Sequence, residues 1–385
     1  SRIVVPEQNL SSGELRLVLL VGYINAVRFA EGSDTLYWKN LFPFHEGDIL
    51  NVRDIEQGIE QAKRLPSQDI SVKLLPSEQP QQTDVVLTVK RGKNFYGTIS
   101  VDDSGLEDTG KLQWYTSLGI DQPFHKNDLL RIGMNLDGAQ DGYEKGTRGH
   151  NISYTYPYGR HTFSFSYQRS KYHQTVESIP YNFISAGDSN ISTLSWDYVV
   201  HRSAAMKTSM DIRLRKRNSH SFLNDVELPI QAMHQTSMEV GFAERLYLQR
   251  NTLYFRLAHR FGLGWMGAQE EKAFADAPKT FYRMWLLDVD FVHPFEFSHR
   301  PATFTTSFHG QYTMDGMRLY GVDMISMGNR YTVRGFDGEV TLMGTNGWYL
   351  EMSSRHGFRS KRQNSIWGLI SARSTAMARR STMGT

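Results

Sequence analysis

A two-residue period recurs through about two thirds of this chain and constrains its fold more than any other feature. Met206, Thr208, Met210, Ile212 and Leu214 alternate with Lys207, Ser209, Asp211, Arg213 and Arg215. Trp285, Leu287, Val289 and Phe291 alternate with Met284, Leu286, Asp288 and Asp290. Phe163, Phe165 and Tyr167 alternate with Thr162, Ser164, Ser166 and Gln168, and Phe304, Phe308 and Tyr312 with Thr305, Ser307, His309 and Gln311. Successive strand side chains point to opposite faces, so each segment carries one apolar and one polar face. About twelve such segments lie between residues 94 and 352, parted by turn signals such as Asp137-Gly138 and Tyr158-Gly159. The polar faces must meet water. They are either the wet side of a soluble all-β array or the lumen of a barrel whose other side meets lipid. Tyr154, Tyr156 and Tyr158 near one turn suit an interfacial girdle or ordinary strand packing.

Composition narrows the class. No run of about 18 apolar residues occurs, which excludes a membrane protein built on spanning helices. The chain has 385 residues and no cysteine, which suits a periplasm and outer membrane. Its net charge of +3 is uneven. Seven of the 43 basic residues and none of the 40 acidic ones lie in 352–385, so the remainder is slightly acidic and gives no sign of nucleic-acid binding. Enzyme signatures are absent: no Gly-x-Ser-x-Gly, no phosphate loop, no His-Glu-x-x-His. Gly262-Leu263-Gly264-Trp265-Met266-Gly267 has the letters of a dinucleotide fingerprint, but no βαβ unit surrounds it, and it reads as a turn. Asp102, Asp103, Glu107 and Asp108 miss the EF-hand spacing, and the thirteen histidines do not cluster at ligand spacing. The residues call for no cofactor and no metal, and an enzyme is not expected.

Residues 22–92 read as a small α/β unit. A strand over 23–29 precedes a short helix over 34–41 and a second helix over 51–65. Asn51 is positioned to cap the second helix, with Asp54 three residues on. Ile55, Ile59, Ala62 and Leu65 share one face of it, and Pro66 closes it. Ile70, Val72 and Leu74 then alternate, as do Val85, Leu87 and Val89.

The run Arg330-Tyr331-Thr332-Val333-Arg334-Gly335-Phe336-Asp337-Gly338 follows the strands and belongs to a loop. Further stretches accompany it: Asp102-Asp103-Ser104-Gly105, Gly146-Thr147-Arg148-Gly149-His150, Tyr156-Pro157-Tyr158-Gly159 and Trp348-Tyr349-Leu350-Glu351. On these stretches and the order of its parts, the chain resembles the outer-membrane transporters of two-partner (type V) secretion. These are the haemolysin-activation and filamentous-haemagglutinin transporter type of the Omp85/POTRA superfamily.

The resemblance implies a mainly β fold, with a small α/β POTRA domain before an incomplete transmembrane antiparallel β-barrel. It divides the chain into the remnant of a first POTRA domain (1–21), a POTRA domain (22–92), about twelve of roughly sixteen barrel strands (93–351) and an aberrant basic tail (352–385). It implies that the loop folds into the lumen, with Arg334 meeting a carboxylate on a later strand, Gly335 allowing the turn, and Val333 and Phe336 packing the tip. It implies translocation of a large haemolysin, adhesin or contact-dependent toxin across a Gram-negative outer membrane, with the POTRA module in the periplasm. The partners would be the unfolded client, outer-membrane lipid and the barrel assembly machinery, with no nucleic acid. Client capture would use the strand edge at Ile70, Val72 and Leu74 and the helix at Ile55 and Ile59, although these side chains equally suit a module core.

The resemblance further suggests truncation at both ends. A signal peptide and most of a first POTRA domain are expected upstream, and a shifted reading frame would explain the composition of 352–385. An open barrel leaves unpaired edge groups at several kcal/mol each in lipid, so a non-functional fragment is expected. A barrel assembly factor of the same superfamily and a soluble all-β binding protein are the alternatives.

Overall fold

The computed structural model describes residues 2–8, 13–138, 144–272, 277–329, 332, 338 and 341–356. The chain folds as two compact units, residues 1–98 with 117–132 and 153–164, and residues 99–116, 133–152 and 165–385.

In the first unit, β1 (Arg2–Val4) pairs with β2 (Val18–Leu20) in a short antiparallel ladder. The α/β module follows: β3 (Tyr23–Phe29), α1 (Val52–Ala62), β4 (Gln68–Pro76) and β5 (Gln82–Arg91). Its sheet order is β3-β5-β4, with β3 parallel and β4 antiparallel to the central β5. Alternate residues Val85, Leu87 and Val89 of β5 are buried against Ile24, Ile55, Ile70, Leu41, Phe42 and Phe44, so one face of the sheet and one of the helix share a core.

The Asn51 side chain accepts the Arg53 N–H at 3.0 Å and caps α1 as its residue type predicts. Asp54 does not close a capping box; its carboxylate accepts from the Asn51 amide at 3.1 Å. The helix stops at Ala62, short of the expected Leu65. The expected helix over 34–41 is reduced to a single turn of 3₁₀ helix, Trp38–Asn40. Pro43 disfavours helical backbone at Phe42, and Leu36, Leu41, Phe42 and Phe44 are all committed to the core. Helix α1 admits the Phe42 ring at Gly58, where a Cβ would lie 2.0 Å from a ring carbon.

The second unit holds most of the long sheet. Its strands are β6 (Phe95–Asp102), β7 (Gln113–Asp121), β8 (Leu129–Asp137), β9 (Lys145–Tyr158), β10 (His161–Val176), β11 (Phe183–Arg202) and β12 (Met206–Leu223). The two-residue β13 (Val226–Glu227) pairs with the end of β12. After it come β14 (Met233–Leu248), β15 (Asn251–Leu263), β16 (Arg283–Phe297) and β17 (Arg300–Thr313). A short ladder of β18 (Ile325–Met327) with β19 (Leu342–Gly344) precedes β20 (Gly347–His356). Neighbours in sequence are neighbours in the sheet from β6 through β12, then β14 through β17, then β20. The ladders joining β11, β12, β14, β15, β16, β17 and β20 are antiparallel.

From β9 to β17 the main-path strands run 13 to 20 residues, beyond the roughly ten that cross a bilayer at a tilt. The connections are unequal. Residues 159–160, 203–205, 249–250 and 298–299 form tight turns at one end of the strands, and the longer segments 224–232, 264–282 and 314–346 all join strands at the other. The alternation stops at Met352 as expected, but strand β20 runs on to His356, which pairs with Ala302. Among the described residues no helix is long and apolar enough to cross a membrane, which says nothing about crossing by strands.

Candidate functional site

The registers sort the long sheet into two unlike faces. On one, Tyr198, Met210, Phe242, Leu257 and Leu287 stand opposite one another across β11, β12, β14, β15 and β16. The next row holds Trp196, Ile212, Val240, His259, Trp285 and Tyr312. Many of these groups are open, as in Leu194 at 56% and Phe242 at 41% exposure. A soluble sandwich would cover such a face with a second sheet; here it forms a broad apolar surface of the kind a bilayer covers.

The opposite face is charged and far more enclosed. The Arg256 guanidinium donates to Asp211 at 3.0 and 2.5 Å and to Glu239 at 2.5 Å. Arg260 donates to the other Glu239 oxygen at 2.7 Å, and Arg213 to Glu239 at 3.2 Å. Arg256 is 6% exposed and Glu239 3%. Charges so enclosed persist only when paired and hydrogen-bonded. Asp288 and Asp290 of β16, Ser307 and His309 of β17 and Tyr349 and Glu351 of β20 continue this face and line one cavity of about 360 Å³ with Arg213 and Arg256. The alternation in the sequence placed Asp211, Arg213, Asp288, Asp290, Ser307 and His309 on polar faces; it did not single out Glu239, Arg256 or Arg260, nor reveal that arginines and carboxylates from three strands converge, because pairing across strands depends on register.

Residues 317–324 and Thr345, from the long segment after β17, lie on this polar face. Asp323 accepts the Gln235 amide at 2.9 Å and the Tyr282 hydroxyl at 3.3 Å, and Arg217 stands 3.7 Å away. Gln311 donates to the carbonyls of Asp323 and Thr345 at 2.9 and 3.1 Å, so one side chain holds both limbs of the segment. Leu319 is buried against Ala258, Tyr282, Met284 and Leu286, with Met317 and Met324 around it. The β18–β19 ladder brings the limbs together. Val333, Arg334, Gly335 and Phe336 lie outside the described residues.

In the first unit the residues expected to meet a client divide by position. Ile55 and Ile70 are core, and Ile59 and Val72 pack against it. Leu74 is 40% exposed. Strand β4 lies at the sheet margin, and among the described residues no strand pairs with its outer edge. Beyond its apolar side, α1 is engaged by the turn at 159–162. Gln61 donates to the Gly159 carbonyl at 3.1 Å and Gln57 to the same oxygen at 3.4 Å, while Arg160 reaches Asp54 at 2.6 Å. The buried Asn40 amide donates to the Lys126 carbonyl and its oxygen accepts from Asn127 at 2.8 Å. Periodicity finds apolar faces, and so this polar contact has no signature in the sequence.

The family of haemolysin secretion/activation proteins, ShlB/FhaC/HecB, matches residues 81–361, and a POTRA domain matches residues 23–76. The outer membrane transporter CdiB-2 of Burkholderia pseudomallei is 39% identical over 350 residues, covering 91% of this chain and 60% of that protein. The hemolysin transporter protein HpmB of Proteus mirabilis is 26% identical over 90% of this chain and 61% of its own length. The solved structure of CdiB from Escherichia coli superposes with a TM-score of 0.86 at 28% identity, covering 94% of this chain and 66% of that one. The chain thus spans about three fifths of the length of the curated relatives it matches.

Proposed function

This chain belongs to the haemolysin secretion/activation protein family, and on that footing we propose that it forms the POTRA-bearing and greater barrel-wall part of an outer-membrane transporter for two-partner secretion. The client is a large secreted protein, a haemolysin, adhesin or contact-dependent toxin, that crosses unfolded. The observation that carries the reading is the sheet with two unlike faces: an exposed apolar face for lipid, and a charged face onto which residues 317–324 fold. A polypeptide passing along such a face meets alternating carboxylates and guanidiniums that solvate its backbone and polar side chains. The members of the family are transporters, and catalysis is no part of the reading.

Client capture belongs in this proposal to the outer edge of β4, by main-chain pairing, with Leu74 as the side chain available beside it. Ile55, Ile59, Ile70 and Val72 act by holding that edge in place. The tight-turn end of the strands faces the periplasm and the long connections face outward. Barrel assembly machinery and outer-membrane lipid are the further partners.

The chain has no cysteine, so one introduced thiol reports one position. Leu74→Cys carrying a photo-crosslinker is expected to capture the amino-terminal secretion domain of a cognate client. Arg28→Cys, exposed on the opposite margin strand β3, is not. Equal capture at both sites would remove the β4 edge from the mechanism.

A further inference from the structure

The apolar face of the long sheet changes character abruptly toward the long-connection end. On β12 the series Met210, Ile212, Leu214 continues as Lys216, Asn218, His220. Their register partners on β11 change at the same level, from Tyr198, Trp196, Leu194 to Ser192, Asn190, Asp188. Strand β10 does likewise, from Phe163, Phe165, Tyr167 to Arg169, Lys171, His173. Residues Met206 to Leu214 rise about 20 Å at roughly 3.3 Å per residue and a 45° tilt, close to the height of a barrel's apolar band. The polar residues beyond them therefore sit at the depth of lipid headgroups while still pointing outward from the charged face.

That outward belt is basic and built. Arg169 donates to Asp188 at 3.2 and 2.6 Å, and Lys171 stands 3.1 Å from the same carboxylate, so two cations flank one anion. Beside them a cavity of about 700 Å³ is lined by Arg148, Lys171 and His173 and by apolar Leu136, Ala186 and Phe222. The His173 ring lies across Gly146, where a Cβ would fall 2.5 Å from its Cε1. Two further carboxylates, Asp137 and Asp225, also line the cavity; Asp137 accepts the Thr147 N–H at 2.9 Å. An occupant thus meets Arg148 on β9 and Lys171 on β10, flanked by apolar Leu136 on β8 and by Ala186 and Phe222 on β11 and β12.

We propose that this cavity on the outer face of β8 to β12 binds the phosphorylated headgroup of the glycolipid that forms the outer leaflet, with Leu136, Ala186 and Phe222 beside its sugar rings. Phosphate suits paired guanidinium and ammonium donors, and a basic residue at a charged bilayer surface contributes favourably one by one. A protein partner would find this surface only by displacing lipid. The inference rests on the reading above that the apolar face spans the outer membrane.

The test uses the full chain in dodecylmaltoside micelles and measures binding of bis-phosphorylated lipid A, dephosphorylated lipid A and phosphatidylglycerol. The variants are Arg148→Gln with Lys171→Gln, and the charge-preserving pair Arg148→Lys with Lys171→Arg. Arg169 is left alone because it anchors Asp188. Removing two charges is expected to weaken lipid A binding about thirtyfold, with a comparable loss for wild type on the dephosphorylated ligand. The charge-preserving pair is expected to bind within about threefold of wild type. Undiminished binding by the neutralised pair, equal binding of phosphatidylglycerol, or loss in the charge-preserving pair each overturns the proposal. Fractionation of expressing cells separates the two readings. Absence from the outer membrane sinks the transporter reading, whereas presence there with unaltered lipid A binding sinks this inference alone.

Discussion

Replacing Arg256 by Met tests whether the buried ion cluster holds the sheet together. The guanidinium joins Asp211 of β12 to Glu239 of β14 from its place on β15, across registers that put none of the three directly opposite another. Methionine keeps the volume and removes the charge. Glu239 then retains Arg260 at 2.7 Å and Arg213 at 3.2 Å, but Asp211 is left with Arg213 at 3.4 Å. Stranding one enclosed carboxylate costs about 3–5 kcal/mol, and the remaining arginine places the loss at the lower end, about 3 kcal/mol. The double change Arg256→Met with Asp211→Leu removes both charges and should recover more than about 1 kcal/mol of that loss. The assay is urea unfolding in detergent, followed by tryptophan emission in a Trp38→Phe background. No other tryptophan falls in the first unit, so the signal belongs to the second. A single variant within about 0.5 kcal/mol of its parent, or a double variant worse than the single, would refute the argument that paired burial is what Arg256 supplies.

Three further outcomes are expected. Gly58→Ala drives a methyl into the Phe42 ring, so the first unit should lose about 2 kcal/mol by overpacking even though alanine is the better helix former, as Trp38 emission would report. Asn51→Ala removes the acceptor of the Arg53 N–H and should cost the same unit about 1 kcal/mol in urea unfolding, with glycine at that position costing only a few tenths. Asp323→Ala deletes the carboxylate that holds segment 314–346 against Gln235 and Tyr282, and trypsin should cut there about tenfold faster than in the parent chain, without faster cutting in 52–62.

The sheet was legible in the sequence because its two solvents are so different. A strand with lipid on one side and water on the other must alternate, and Met210-Asp211-Ile212-Arg213-Leu214 leaves no other regular structure that satisfies both sides. The module core was legible for a related reason, since Ile55, Ile70, Val85 and Leu87 mark their faces by period. Short elements were not. The expected helix before Pro43 dissolved because Leu36, Leu41, Phe42 and Phe44 gain more from the core than one extra helical turn supplies, and local propensity gives way to packing.

What periodicity cannot supply is the meeting of residues distant in sequence. Asp323 and Gln235 are 88 residues apart and Gln61 and Gly159 are 98 apart, and neither pair carries a local signature. Both contacts are polar, buried and made at backbone or amide groups, so hydrophobic patterning passes over them. The first holds Asp323 on the charged face, and the second occupies one side of α1. An apolar pattern specifies that the chain folds into a sheet with two environments. Which of its surfaces remain available is decided by a few amides and carboxylates whose partners only the register brings within reach.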